Sequence, residues 1–360
     1  MQPRMNKRLR LKAVLLGASL VLSVIALEGG LQIYHRLKKG TWFNAGNRAF
    51  EVGYTKPVSD RRRYSLRENY HDEKIGLHID ADGFRCNARQ NRGEKVLVAL
   101  GDSVPFGAGV ADGDTYPSKL NDLIAQKLPE SRLSVLNAGV PSYNIRQSLD
   151  RLGMEARKKI SGKIILATMQ AANDISLLTH YRENWSPEVT WADVRFPAGP
   201  VRASTILGQK ISDLREKRRK HDFENHQKFS DASLIANLKS VLVEGQVEAR
   251  RLGIRILLLP IDPFYYQLSH QDKNPKLPGW KDYQNYVKLW GDTIENVNRT
   301  LEQAALDSRG TFVFFDSRRI MDSQDRSKAY IDFIHLSPWG AQMIAEHLLS
   351  FIIENHLLDI

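Results

Sequence analysis

Cysteine is almost absent from this 360-residue sequence, with Cys86 as its single example, so no intrachain disulfide can form. This excludes the small disulfide-stapled domains, and a lone thiol is more simply a packed or surface group than a nucleophile. Metal-ligand spacing is also missing from the histidines at 180, 221, 226 and 270, so we predict neither a metal nor any cofactor. With 42% apolar residues and no internal repeat, the chain can bury a sizeable core of its own.

Most of the chain carries little net positive charge, although the whole sequence has a net charge of +11. Residues 1–40 hold eight basic residues and one acidic residue, which is +7, and the rest of the chain carries only +4. A nucleic-acid-binding domain needs a basic stripe or patch on its main body. The charge distribution therefore predicts no nucleic-acid partner.

The N-terminal charge precedes an apolar segment. A helix over residues 13–34, at about 1.5 Å per residue, would cover roughly 33 Å and could span a bilayer. Basic residues in front of such a helix favour a cytoplasmic N-terminus and export of the chain after the helix. We expect an uncleaved membrane anchor with the remaining chain in the periplasm or at the surface of a bacterial cell. A cleaved signal peptide is the alternative, with Val24-Ile25-Ala26 as a tolerable cleavage site.

Apolar runs and helical spacings alternate beyond residue 93. The pattern predicts strands at Val96–Leu100, Val135–Val140, Ile164–Gln170, Ile254–Leu259 and Thr311–Phe315. Between and after them it predicts helices at Tyr116–Lys127, Ile145–Lys159, Ser230–Gly253 and Lys281–Asp307, with a last helix starting at Ser337-Pro338. Strands that alternate with helices indicate a parallel sheet covered on both faces.

Residues able to perform acyl transfer lie at the ends of these elements. Gly101-Asp102-Ser103 follows the first strand, and Asp332 lies three residues before His335 near the other end of the chain. A serine becomes a nucleophile when a histidine takes its proton, and a carboxylate orients that histidine. Ser103, His335 and Asp332 are therefore a candidate catalytic triad. We expect Asp102 to support the loop.

Acyl transfer also requires donors aimed at the oxyanion of the tetrahedral intermediate. The backbone N–H groups of Ser103 and Gly139 and the side-chain amide of Asn173 are our candidates. The chain resembles the SGNH, or GDSL-like, hydrolases, of a membrane-anchored bacterial type, over roughly residues 83–355. That family has four sequence blocks, which correspond here to Gly101-Asp102-Ser103, Asn137-Ala138-Gly139, Ala171-Ala172-Asn173-Asp174 and Asp332-x-x-His335. The third block of that family usually has a glycine where this chain has Ala171.

The resemblance implies a fold and a domain plan. The expected fold is a three-layer α/β/α sandwich around a central, mainly parallel five-stranded sheet of the flavodoxin-like type, plus the N-terminal transmembrane helix. We assign residues 1–40 to a cytoplasmic tail and signal-anchor, 41–92 to a stalk and lead-in segment, and 93–360 to the hydrolase-like domain. An α/β-hydrolase elbow is excluded, because Pro105 stands where Gly-x-Ser-x-Gly needs its second glycine.

An insertion at about 175–230 is the candidate lid or substrate wall. Trp185 and Trp191 within it could stack on sugar rings or simply pack against the core. Its basic part, within 202–228, could hold an acidic glycan or a membrane surface, or be a solvated helix face.

The predicted function is an extracytoplasmic serine esterase that removes acyl groups, with O-acetyl favoured, from an envelope or secreted carbohydrate. The predicted partners are that acylated carbohydrate, or another small ester, and the membrane. The alternatives are a carbohydrate O-acyltransferase that uses the same acyl-serine, a lipase or thioesterase, and a non-catalytic envelope scaffold or glycan-binding protein on the same fold.

Overall fold

The structure is a computed structural model. It describes residues 7–39, 54–58, 60–62, 64–89, 93–156, 160, 162–170, 231–261, 280–318, 320, 326–332 and 334–358. The chain divides into two units, one of residues 1–53 and 195–227, and one of residues 54–194 and 228–360. The insertion at about 175–230, with Trp185 and Trp191, lies outside the described residues.

The described part of the first unit is one helix, α1 (Lys7–Lys39). Its stretch Leu15–Tyr34, 20 residues long, is apolar enough to cross a membrane and is not buried by other parts of the chain. Its apolar side chains, among them Leu16 and Ile25, are exposed. A signal sequence near the N-terminus would have the same length and composition.

The second unit is built on five parallel strands: β5 (Lys95–Gly101), β6 (Leu133–Asn137), β7 (Lys163–Gln170), β8 (Arg255–Leu258) and β9 (Phe312–Phe314). Their order in the sheet is β6-β5-β7-β8-β9, and every neighbouring pair is parallel. The central strands are nearly continuous runs of buried residues, as expected where helices cover both faces. The predicted parallel five-stranded sheet is confirmed, and the strand ends differ from the predicted ones by at most three residues.

Helices pack on both faces of this sheet. On one face lie α3 (Tyr116–Lys127) and α8 (Pro338–Glu354), which share an apolar cluster with Leu97 and Ala99 of β5. On the other face lie α4 (Ile145–Asp150), α5 (Asp231–Leu252) and α6 (Trp280–Asp307). The remaining helices are α2 (Ser103–Phe106) and α7 (Arg326–Ala329). The arrangement is a three-layer α/β/α sandwich.

Helix ends follow local sequence signals. Ser337 caps α8 by accepting a hydrogen bond from the Gly340 N–H at 3.1 Å, directly before Pro338. The helix predicted over Ile145–Lys159 is shorter in the structure: α4 ends at Asp150 and a π-helical turn follows over Arg151–Ala156. Gly153 lies in that turn: glycine weakens an α-helix, and a methyl group at this position would lie 2.9 Å from a carboxylate oxygen of Glu248.

Two hairpins precede the sheet. Strand β1 (Thr55–Pro57) pairs with β2 (Tyr64–Leu66), and β3 (Tyr70–Asp72) pairs with β4 (Leu77–Ile79), each pair antiparallel. The side chains of Tyr64, Leu66, Leu77 and Ile79 in these strands are buried, and Arg85 then bridges Ile79 and Asn137. From residue 54 onward the stalk and lead-in segment thus belongs to the sheet unit. The sequence pattern predicted a strand over Asp80–Phe84 that leads into the core, but not these two hairpins.

Candidate active site

Ser103 lies at the carboxyl end of strand β5, next to the central strand β7. The strand ends at Gly101, whose φ of +138° and close approach to the Gln170 carbonyl oxygen leave no room for a side chain. Asp102 then caps α2, its carboxylate accepting a hydrogen bond from the Val104 N–H at 2.9 Å. Ser103 is therefore the first residue of a single helical turn. Asp102 supports this loop, as expected.

His335 and Asp332 lie on the loop that leads into α8. One carboxylate oxygen of Asp332, Oδ1, accepts the N–H groups of Ile334 at 2.9 Å and His335 at 2.8 Å. The other, Oδ2, lies 2.6 Å from His335 Nδ1. The loop is closed at its base by the Ile331 N–H, which donates to the His335 carbonyl at 2.9 Å. The carboxylate thus holds both the loop and the imidazole ring.

The two loops meet although 232 residues separate them: His335 Nε2 lies 2.9 Å from Ser103 Oγ. A carboxylate only accepts hydrogen bonds, so Nδ1 carries the ring proton beside Asp332. Nε2 is then unprotonated and faces the serine hydroxyl as an acceptor. The structure therefore brings Ser103, His335 and Asp332 together in one series of contacts, an arrangement that could serve a nucleophile, a base and an orienting acid.

The charge of Asp332 matters for this order. Burial raises the pKa of the Asp332 carboxyl, but the hydrogen bonds from His335 and from the Ile334 N–H outweigh it, and the pKa lies below its usual value. Asp332 is therefore ionised at neutral pH. The anion favours both the Nδ1–H tautomer and a positive charge on the ring during proton transfer.

The three candidate oxyanion donors differ in their surroundings. Among the hydrogen bonds of the described residues, none uses the Ser103 N–H, which opens the α2 turn. The Gly139 N–H donates to Asn137 Oδ1 at 3.1 Å. A methyl group on Gly139 would lie 2.3 Å from the Phe106 nitrogen, so this loop packs directly on α2. Asn173 lies outside the described residues.

Two residues that the sequence analysis did not propose for the site also contact helix α2 and the residue that follows it. The side-chain amide of Asn137 donates to the Pro105 carbonyl at 2.9 Å, and the Arg85 guanidinium donates to the Phe106 and Gly107 carbonyls. Asn137 lies in the same sequence block as Gly139, so a role near the site could have been predicted for it. No sequence pattern indicated such a role for Arg85, because charged residues are normally expected at the surface.

Within the described part of the chain, no group of three or more His, Cys, Asp or Glu side chains is arranged to hold a metal ion. The histidines at 180, 221, 226 and 270 lie outside these residues.

No family model and no curated protein matches the chain. Several solved structures are similar to it. One is described as a GDSL-like lipase from Parabacteroides merdae (11% identity, 72% of this chain and 96% of that one, TM-score 0.44). Another is the acetylxylan esterase Axe2 from Geobacillus stearothermophilus (17%, 73% and 96%, TM-score 0.40), and a third is TesA (15%, 72% and 97%, TM-score 0.39). At these identities the likeness concerns the fold alone.

Proposed function

We propose that this protein is a serine esterase of the SGNH type. The observation that carries the proposal is the 2.9 Å contact between Ser103 Oγ and His335 Nε2, with Asp332 on the opposite side of the ring. A serine that merely capped a helix would need no imidazole beside its hydroxyl, and a surface histidine would need no carboxylate on the other side of its ring. The three groups have the roles required for nucleophilic catalysis.

The proposed reaction has two halves. Ser103 Oγ attacks the ester carbonyl while His335 Nε2 takes the hydroxyl proton, and the same proton then passes to the departing alcohol oxygen. This leaves an acyl-serine and breaks the ester C–O bond. In the second half His335 takes a proton from water, the resulting hydroxide attacks the acyl carbon, and the proton returns to Ser103 Oγ. The products are a carboxylic acid and an alcohol.

The oxyanion formed in each half needs donors, and the candidates are the Ser103 and Gly139 N–H groups and the Asn173 amide. Because the Gly139 N–H already donates to Asn137 Oδ1, it serves the oxyanion either as a shared donor or after leaving that amide. Loss of one such donor typically costs about 3 kcal/mol of transition-state stabilisation, roughly a hundredfold in rate.

The proposed substrate is an O-acetylated carbohydrate of the cell envelope or a secreted polysaccharide. The support is the helix Leu15–Tyr34, which is long and apolar enough to anchor the chain in a membrane, and the basic residues before it. We propose that the helix is retained and that the sheet unit is extracytoplasmic. Acetyl esters of sugars are the small esters that an enzyme in this location meets.

The mechanism is tested with a fluorophosphonate probe on the full-length protein in detergent. We expect mass spectrometry to find the label on Ser103, and Ser103→Ala to lose both labelling and p-nitrophenyl acetate turnover without a change in melting temperature. Ser131→Ala is the matched control, because Ser131 precedes β6 at the opposite end of the sheet. Turnover that survives in Ser103→Ala would remove the mechanism.

The substrate and location are tested separately. Incubation with an acetylated polysaccharide should release free acetate, whereas an acyltransferase would move the acetyl group to an added sugar acceptor. Protease added outside intact spheroplasts should degrade the sheet unit. Protection of that unit would contradict the extracytoplasmic location, and acetyl transfer without acetate release would contradict hydrolysis.

A further inference from the structure

The helix that bears Ser103 cannot hold its own position. Helix α2 is a single turn of four residues, and one turn is unstable in isolation because nucleation is unfavourable. Its final carbonyl groups also lack partners within the helix and need donors from elsewhere. Two side chains from distant segments, Arg85 and Asn137, supply those donors, and we call this pair the α2 clamp.

Arg85 contacts three carbonyl groups behind the nucleophile. Nη1 donates to the carbonyls of Phe106 and Gly107, both at 2.6 Å, and Nη2 donates to that of Val110 at 2.6 Å. The guanidinium carbon lies 4.8 Å from the centre of the Phe106 ring, and the residue is only 3% exposed. The planar fork of arginine can reach all of these groups at once, which a lysine ammonium cannot do.

The position of Arg85 is itself fixed by a counter-ion. Asp112 Oδ1 accepts a hydrogen bond from Arg85 Nε at 2.8 Å, so the buried cation is paired. Asp112 Oδ2 accepts the His78 N–H at 2.9 Å and lies 2.8 Å from His78 Nδ1. Because His78 lies on β4, the second hairpin is tied through Asp112 to the turn after Ser103.

Asn137 joins α2 to the loop that carries Gly139. Its Nδ2 donates to the Pro105 carbonyl at 2.9 Å, and its Oδ1 accepts the Gly139 N–H at 3.1 Å. Its own carbonyl accepts the Arg85 N–H at 3.1 Å, so the two clamp residues also contact each other. Asn137 is fully buried, and its amide therefore has these partners rather than water.

We propose that Arg85 and Asn137 are positioning residues for acyl transfer, because the α2 clamp sets where the nucleophile and its neighbouring N–H groups stand. This inference rests on the proposed esterase function. Ser103 Oγ must remain 2.9 Å from His335 Nε2, and a shift of α2 changes that distance directly. Misplacement of a reacting group by about 1 Å can cost about a hundredfold in rate.

The test compares two buried arginines. Arg151 is fully buried, donates to Ser65 Oγ at 2.9 Å and the Gly83 carbonyl at 2.7 Å, and lies 5.0 Å from the Phe84 ring centre. These partners lie outside α2, so Arg151→Lys is a matched control for Arg85→Lys. Both substitutions keep the charge and should lower the melting temperature to a similar degree.

Catalysis separates the two variants. For the full-length protein in detergent, we expect Arg85→Lys to lower kcat for p-nitrophenyl acetate about 10- to 100-fold with little change in KM. Labelling of Ser103 by the fluorophosphonate should slow by the same factor. Arg151→Lys should keep both rates within about twofold of wild type, by the same reasoning. Asn137→Asp, which keeps an acceptor for the Gly139 N–H but loses the donor to Pro105, should behave like Arg85→Lys.

Hydrogen exchange gives a reading that does not depend on activity. The N–H groups of Gly107 and Ala108 each donate to the Ser103 carbonyl at 3.0 Å, so loosening of α2 would expose them. We expect faster exchange in the 103–110 peptide of Arg85→Lys and no change in Arg151→Lys. Wild-type kcat and wild-type exchange in Arg85→Lys would overturn the proposal. If wild type itself is neither labelled nor active, the esterase proposal fails, and the exchange of this peptide alone decides whether the clamp holds α2.

Discussion

Replacement of Asp332 by asparagine isolates the orienting role of one carboxylate oxygen. The amide oxygen of asparagine can still accept the Ile334 and His335 N–H groups, which the carboxylate holds at 2.9 Å and 2.8 Å. The loop should therefore keep its shape. The amide nitrogen, however, would stand where Oδ2 now lies 2.6 Å from His335 Nδ1. An amide N–H donates, so it would require an unprotonated Nδ1 and drive the ring proton to Nε2.

The wrong tautomer turns the base into a donor. Nε2 lies 2.9 Å from Ser103 Oγ, and with a proton there it could no longer accept the hydroxyl proton. In a serine hydrolase triad this substitution lowers kcat by about 10⁴, which corresponds to about 5.5 kcal/mol at the transition state. We expect a loss of about 10³ to 10⁴ here, because the carboxylate is partly exposed and water can partly replace it.

The assay is the pre-steady-state acylation rate with p-nitrophenyl acetate, measured beside the melting temperature. Asp80→Asn is the matched control, because Asp80 also accepts two backbone N–H groups in a turn, those of Asp82 and Phe84, both at 2.9 Å. It should keep full activity. If Asp332→Asn retained more than about a tenth of the wild-type rate, the orienting role derived from this geometry would be refuted.

The same variant has a pH signature. The folded-state pKa of Asp332 is below its ordinary value, so its contribution to stability is complete above about pH 4 and is lost as pH falls through the folded pKa. The difference in melting temperature between wild type and Asp332→Asn should therefore shrink when the pH is lowered below about 4. A constant difference would contradict the depressed pKa.

Two further predictions concern neighbouring contacts. Gly139→Ala would place a methyl 2.3 Å from the Phe106 nitrogen, so we expect a lower melting temperature and slower acylation, and an unchanged variant would contradict the close packing. The hydrogen bonds with Glu73 and Asp112 raise the pKa of His78. Its contribution to stability is therefore present below about pH 6.5 and is lost as the pH rises through the folded-state pKa. His78→Gln should flatten the decline of melting temperature above that pH, and an equally steep decline would exclude this group as its source.

The sheet and the large helices were predictable because buried positions recur along the sequence with a period that differs between strands and helices. Residues 96–100 form an unbroken apolar run, and a strand covered on both faces requires just that. Pro338 after Ser337 predicted the start of α8 through local capping chemistry. These signals act within a few residues and therefore survive in the sequence alone.

The site was predictable only in part. Nothing local in Gly101-Asp102-Ser103 points to a histidine 232 residues away. The sequence analysis linked the two because a serine nucleophile needs a histidine and an orienting carboxylate, and the resemblance to a known family supported that link. The short strands β1 to β4 have three residues each, too few for a period to appear. Charged side chains are usually expected at the surface, so the burial of Arg85 was not predictable. Its partners are backbone carbonyl groups, which leave no signal in the sequence.

The long separation between nucleophile and base has a consequence for biosynthesis. At roughly 5–20 residues per second, the base leaves the ribosome about 10–50 s after the nucleophile. The nascent polypeptide therefore carries an inert hydroxyl through most of its synthesis. A premature stop shortly before residue 335 would spare every strand of the sheet, yet under the proposed mechanism its product would lack the base and would not hydrolyse an ester. The proposed activity would therefore begin only after His335 has been synthesised.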